Sequence, residues 1–235
     1  MNKEQSVRTA MLLGEDAINT LSQKHVMVFG IGGVGSFCAE ALARAGVGSL
    51  TLVDDDVVSI SNLNRQLIAL HSTIGRPKAE VMAERIHDIS PVCTVTALNQ
   101  RYTPETRDLF FDVGPDYIAD CIDSVPCKTD LITTAHEKSI PTISAMGTGN
   151  KLDPGKFVIT DLSKTSGCPL ARVMRRELKK FGITHHTVLY STELPVKPLF
   201  QPETDITIPG SVAWVPSSAG LMIAGHIIRQ LLAES

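Results

Sequence analysis

A chain of 235 residues with 43% hydrophobic side chains can bury a substantial core, which excludes an intrinsically disordered protein. Its 22 basic and 25 acidic residues leave a formal charge of −3, so no global basicity marks it for nucleic acid, although a local patch stays open. No apolar run reaches the roughly 20 residues of a membrane span, and residues 1–20 lack the apolar core of a secretory signal, so a cytoplasmic protein without membrane contact is expected.

Residues 1–24 read as a helical arm ahead of the first strand pattern. His25–Gly30 reads as a strand, Gly33–Ala45 as a helix of small residues and Ser49–Asp54 as a second strand. Helical spacing of Val81, Met82, Arg85 and Ile86 marks Pro77–Ile89, and the strand Cys93–Leu98 follows. Pro104–Phe111 reads as a short helix, Tyr117–Cys121 as a fourth strand, Val125–Lys138 as a helix and Pro141–Ala145 as a fifth strand. This alternation predicts an α/β fold, Rossmann-like and doubly wound, whose mainly parallel sheet binds ligands at the carboxyl ends of its strands.

After Gly147–Asn150 the rhythm changes: strand patterns at Lys156–Asp161 and His186–Ser191 flank a basic helix, Leu170–Phe181. Pro195, Pro198, Pro202 and Pro209 deny Glu193–Pro209 regular hydrogen bonding, so it reads as a long surface loop. Ser211–Val215 and a helix from Ser217 close the chain. A single domain is expected, with residues 25–150 as its nucleotide-binding core and 151–235 extending the same sheet by C-terminal strands. The five cysteines, at 38, 93, 121, 127 and 168, contain no Cys-x-x-Cys pair, which speaks for reduced thiols and against a structural zinc site.

The chemistry begins at Gly30-Ile31-Gly32-Gly33-Val34-Gly35, between the first strand and its helix. Gly30 permits a tight turn, Gly32 lets a phosphate approach the backbone, Gly35 lets helix and strand pack closely, and Gly33 completes the cradle. Asp54 ends the next strand, about 20 residues on, where a ribose-binding acid belongs, with Asp56 close by. A dehydrogenase needs little more. Here Asn62, Arg65 and Lys78 follow, and guanidinium and ammonium suit triphosphate oxygens. Asp120 and Asp123 end the fourth strand at the same side of the sheet, where a carboxylate can hold Mg²⁺ bridging phosphates. The set favours ATP and attack at phosphorus over NAD and hydride transfer.

These motifs, together with Asp54 to Gln66, Arg76-Pro77-Lys78 and Asp120-Cys121-Ile122-Asp123-Ser124, resemble the ubiquitin-activating, ThiF and MoeB superfamily, whose members adenylate a carboxylate with ATP and Mg²⁺. The resemblance implies that Asp54 binds ribose, that Asn62, Arg65 and Lys78 contact phosphates, and that Asp123 holds the metal. It also implies a homodimer in which Arg8 reaches the partner protomer's ATP. Without zinc pairs or added domains, and with stretches such as Arg8–Glu15, Asn64–His71 and Gly149–Pro154, the chain is similar to the tRNA threonylcarbamoyladenosine dehydratase group. That group implies adenylation of the threonylcarbamoyl carboxylate in tRNA, then ring closure with net loss of water. Activation of a ubiquitin-like or sulfur-carrier C-terminus is the alternative, and a sulfur-relay or helper protein is a conceivable partner. Trp214–Gly220, where some members carry a cysteine, has none, which leaves Cys168, at a helix start, as the candidate nucleophile beside the plainer reading of a packing residue. Arg172, Arg175, Arg176, Lys179 and Lys180 give one helix five cations, the candidate tRNA contacts beside the plainer reading of a solvated face.

Overall fold

The structure, a computed structural model, describes residues 3–111, 114–203 and 208–233. Residues 1–2 of the expected arm and 204–207 of the expected loop therefore lie outside the described residues. The arm is two helices, α1 (Lys3–Leu13) and α2 (Glu15–Leu21). Then come β1 (His25–Phe29), α3 (Gly35–Ala45), β2 (Ser49–Val53), α4 (Lys78–Ile89), β3 (Thr94–Leu98), β4 (Tyr117–Asp120), α5 (Val125–Glu137) and β5 (Thr142–Ala145). The later part adds β6 (Phe157–Asp161), α6 (Pro169–Lys179), β7 (Thr187–Ser191) and α7 (Trp214–Ala233).

These strands form one seven-stranded sheet in the order β3-β2-β1-β4-β5-β7-β6. Every neighbouring pair is parallel except β6 with β7, which run antiparallel. The order reverses between β1 and β4, and a crevice forms where the connections after those strands diverge. β4 is buried along its whole length, as central strands covered on both faces must be. On one face α3, α4 and α7 lay buried Leu42, Met82, Ile86, Ala219, Ile223 and Ile227 on the sheet. On α6, Ala171, Met174 and Leu178 recur at helical spacing and face the core, leaving the basic residues on the other side.

Two expectations fail locally. Pro104–Phe111 is no helix; only Arg107–Leu109 makes a single tight turn. Thr106 accepts the N–H of Thr103 at 2.9 Å and donates to the carbonyl of Arg101 at 2.8 Å, so side chains supply bonds that a helix would need from the backbone. Meanwhile Tyr102 and Phe110 pack against Phe29 with ring centroids 5.2 and 5.8 Å away, contacts worth about 0.5–1.5 kcal/mol per pair. The last helix starts at Trp214 rather than Ser217, taking in Val215 and Pro216. Proline is tolerated there because N–H groups of a first turn have no helical partner. Among the described residues no helix is long and apolar enough to cross a membrane.

Candidate active site

The β1–α3 turn is built by two sterically forced glycines. Gly30 has φ of +84°, and a Cβ on it would lie 2.8 Å from the Cys121 carbonyl oxygen. A Cβ on Gly35 would overlap the carbonyl oxygen of Gly30. Gly32 has no such internal demand, since its nearest neighbour would be Gln66 Nε2 at an ordinary 3.6 Å. The free space at Gly32 faces a cavity of about 790 Å³, bounded also by Gly33 and by the loops after β2, β4 and β5.

Asp54, just beyond β2, points its carboxylate across this turn. Its Oδ2 accepts the N–H of Ile31 at 2.6 Å, and its Oδ1 accepts the N–H of Asp56 at 2.9 Å. Burial pushes the Asp54 carboxyl above its usual range, against the opposing pull of the Lys78 charge and those two N–H groups. Lys78, the first residue of α4, is only 5% exposed, and its Nζ lies 2.6 Å from Asp56 Oδ2. Asp56 therefore lines the cavity as the partner of Lys78, with its backbone carbonyl also capping the Lys78 N–H. Asn62 uses its Oδ1 to accept the N–H of Ser59, and Arg65 uses Nη1 on Ser61 O and Asn64 Oδ1. Both line the cavity, and among the described residues Arg65 Nε and Nη2 have no acceptor.

The two acids at the end of β4, of which the resemblance singles out Asp123 for the metal, differ completely. Asp120 is fully buried and paired with Lys128. Asp123 is exposed to the cavity and, among the described residues, has no ion pair. Carboxylate oxygens of Asp54, Asp55 and Asp56 also gather within 4.8 Å, but Asp54 and Asp56 are already engaged. A hard divalent cation seeks unengaged oxygen ligands, and Asp123 meets that requirement.

Sequence reading overlooked Gln66. It is 8% exposed, lines the cavity beside Gly32, and its buried Oε1 has no hydrogen-bond partner among the described residues. An orphaned acceptor of this kind marks a place for a ligand donor or bound water. Arg101, on the loop after β3, is another cation at the rim that no spacing flagged. Asn150 was also missed: it ties both ends of the proline-rich loop. Its N–H and Oδ1 bond to Gly210 at 2.7 Å each, and its carbonyl accepts the N–H of Val196 at 2.8 Å. Pro195, Ile208 and Pro209 of that loop form a cavity wall.

Cys168 sits at the start of α6, buried among Met146, Leu162, Ala171 and Met174, and also lines the cavity. Of the other two thiols that line the cavity, Cys121 and Cys127, burial pushes Cys121 up to about 12, which disfavours its thiolate. Cys168 and Pro169 also bound a second groove, about 860 Å³, running along α6 past Arg172, Arg176 and Lys179. Arg175 lines the same groove, with part of its guanidinium engaged inside the protein. Its Nη1 turns inward to Thr165 O at 2.8 Å and to the Thr165 hydroxyl, bracing the turn before α6. Arg176 and Lys180 share Glu177, while Arg172 and Lys179 stay exposed. Arg8 is exposed on α1 and is not among the residues around the cavity.

A glycine cradle, an acid beside it and cations opposite are the features of a nucleotide-activating fold, and the ThiF family profile matches residues 6–235. The chain belongs to the ThiF family. Within that family it is 45% identical to a tRNA threonylcarbamoyladenosine dehydratase of Bacillus subtilis, over 97% of this chain and 94% of the relative. The Escherichia coli tRNA N6-threonylcarbamoyladenosine dehydratase, TcdA, in complex with AMP superposes with a TM-score of 0.93 at 38% identity, over 99% of this chain and 95% of that one. The same E. coli protein in complex with ATP gives 0.92 at the same identity and coverage. The ThiF-family fold and the seven-stranded, mostly parallel sheet thus agree.

Proposed function

We infer that this chain is an ATP-dependent tRNA threonylcarbamoyladenosine dehydratase. The observation that carries the reading is the convergence of Asp54, Arg65, Lys78 and Asp123 on one cavity at the glycine turn, in a chain 45% identical to such a dehydratase. ATP lies with its ribose on Asp54 and its phosphates over Gly30–Gly35, where the N-terminus of α3 adds partial positive charge. Arg65, Lys78 and the amide of Asn62 hold phosphate oxygens and spread the charge that grows on departing pyrophosphate. Asp123 would hold Mg²⁺, which would supply positive charge to offset that of the phosphates. The threonylcarbamoyl carboxylate oxygen bonds to the α-phosphorus as the bond to pyrophosphate breaks. A nucleophilic atom of the same modification then attacks the acyl carbon, and AMP leaves with the former carboxylate oxygen. The nucleoside has lost one water. A nucleophile tethered to its electrophile has a high effective concentration, so the ring-closing step asks for alignment more than for extra catalytic groups.

The RNA lies along α6 on Arg172, Arg176, Lys179 and Lys180, beside the cavity with which this groove shares Cys168 and Pro169. The chain acts as a homodimer in the cytoplasm. Support for the dimer comes from α1, where Met11 and Leu12 are 79% and 88% exposed and follow Arg8 at helical spacing of three and four.

The test is mass spectrometry of nucleosides from tRNA bearing threonylcarbamoyladenosine, incubated with the chain, ATP and Mg²⁺. Conversion of the modified nucleoside to a species lighter by one water, with AMP and pyrophosphate released, is the expected result. Pyrophosphate exchange that responds to a ubiquitin-like or sulfur-carrier protein and not to tRNA would move the assignment to carrier-protein activation.

A further inference from the structure

The buried pair Asp120–Lys128 has no assigned task in adenylation. Asp120 is the last residue of β4, in register between Phe29 of β1 and Ser144 of β5, at the centre of the sheet. Lys128 reaches back from α5, and its Nζ lies 2.8 Å from Asp120 Oδ2 with both side chains 0% exposed. A buried ion pair is no better for stability than well-packed apolar residues of similar volume, because desolvation offsets the attraction. What the pair does have is geometric reach. Asp120 Oδ1 accepts the N–H of Ile122 at 3.1 Å, and Lys128 Nζ also approaches the Asp120 carbonyl at 3.5 Å. The Lys128 N–H bonds to Ser124 O at 2.8 Å. The ion pair thus holds the start of the turn 121–124, and the helix that carries Lys128 takes up its end. On its inner side the Cys121 carbonyl packs against Gly30.

We propose that Lys128, through Asp120, is a positioning residue that sets the place of the Asp123 carboxylate over the glycine turn. The proposal rests on the adenylation reading for the importance of Asp123. Lys128 touches neither nucleotide nor metal; it acts by holding the four-residue turn that carries the metal-binding group. Outer partners that orient metal ligands typically matter by roughly 10–100-fold in metal affinity or activity.

The experiment compares the full-length protein with its Lys128→Met, Lys128→Arg and Asp123→Ala variants, and adds the Asp120→Asn/Lys128→Met double variant, whose neutral pair folds even if Lys128→Met alone does not. Hydrogen exchange of the Ile122 amide, which donates to Asp120 Oδ1, reads the turn directly in ligand-free protein. ATP binding in EDTA and the Mg²⁺ midpoint of pyrophosphate exchange read its effect. Lys128→Met and the double variant are expected to speed exchange at that amide and to raise the Mg²⁺ midpoint roughly 10–100-fold, with metal-free ATP binding unchanged. Lys128→Arg, which keeps the charge, is expected to restore most of both. Unchanged exchange at Ile122 overturns the proposal, as does a lowered melting temperature with an unmoved Mg²⁺ midpoint. If Asp123→Ala itself leaves the midpoint unmoved, the metal assignment fails instead, and amide exchange alone decides on the positioning role.

Discussion

His186 lies at the amino end of β7, immediately before that strand, with Nε2 2.8 Å from Ser144 Oγ. Burial first, then the positive fields of His136 and Lys128, depress its pKa from 6.5 to about 3, with Asp161 opposing. Between those values the unfolded chain binds a proton that the folded chain refuses. Stability from this group is therefore present in full above pH 6.5 and is lost as pH falls toward 3. Each pH unit in that window is worth about 1.4 kcal/mol, so the loss between pH 7.5 and pH 5 is about 2 kcal/mol, and about 5 kcal/mol by pH 3. His186→Gln keeps an amide for Ser144 but cannot titrate. Melting both proteins at pH 7.5 and pH 5 isolates the term, because His25 and His226, also lowered by burial, are common to both. The wild type is expected to lose about 4–8 °C more than the variant over that interval. Equal losses in the two proteins would refute the claim that His186 is held neutral.

Replacing Arg172, Arg176 and Lys179 with alanine should flatten the salt dependence of tRNA binding by roughly 0.7–0.9 in log–log slope per phosphate contact removed. Arg175→Ala should leave that slope alone and lower the melting temperature, since it unpairs the carbonyl of Thr165; identical slopes in all variants would remove α6 from the RNA surface. Arg8→Ala and Lys78→Ala proteins, each inactive alone, should regain activity when mixed, because a mixed dimer has one site with both residues intact. A monomer by light scattering that still turns over ATP would end the shared-site idea. Cys168→Ser should keep ring-closing activity, because the thiol packs among Met146, Leu162, Ala171 and Met174; loss of product with retained pyrophosphate exchange would instead assign it the acyl group.

Local signals were read well because they are short-range physics. The glycine turn, Asp54 at a strand end, and Lys78 at a helix start follow from φ restriction, strand periodicity and capping, all written within a few residues. Where threonine side chains and an aromatic cluster outvoted local propensity, as at Pro104–Phe111, the reading failed. The antiparallel placement of β6 beside β7 was likewise not legible, since either direction suits the same alternation.

The sequence by itself determined the α/β class, the place of the nucleotide cradle and the charge types gathered around it. Only the tertiary structure decided which of those charges are free to work. Asp120 and Asp123 are three residues apart and chemically alike, yet one is locked to Lys128 and the other faces the cavity. Arg175 lines the same groove as Arg172 and Arg176, yet Thr165 takes its Nη1. Asp56 holds Lys78, and Gln66 buries an acceptor with nothing to accept. A residue's type sets its charge and its donors. Its partners and its desolvation come from chain segments that meet only on folding, and those settle whether the charge is spent inside the protein or offered to a ligand.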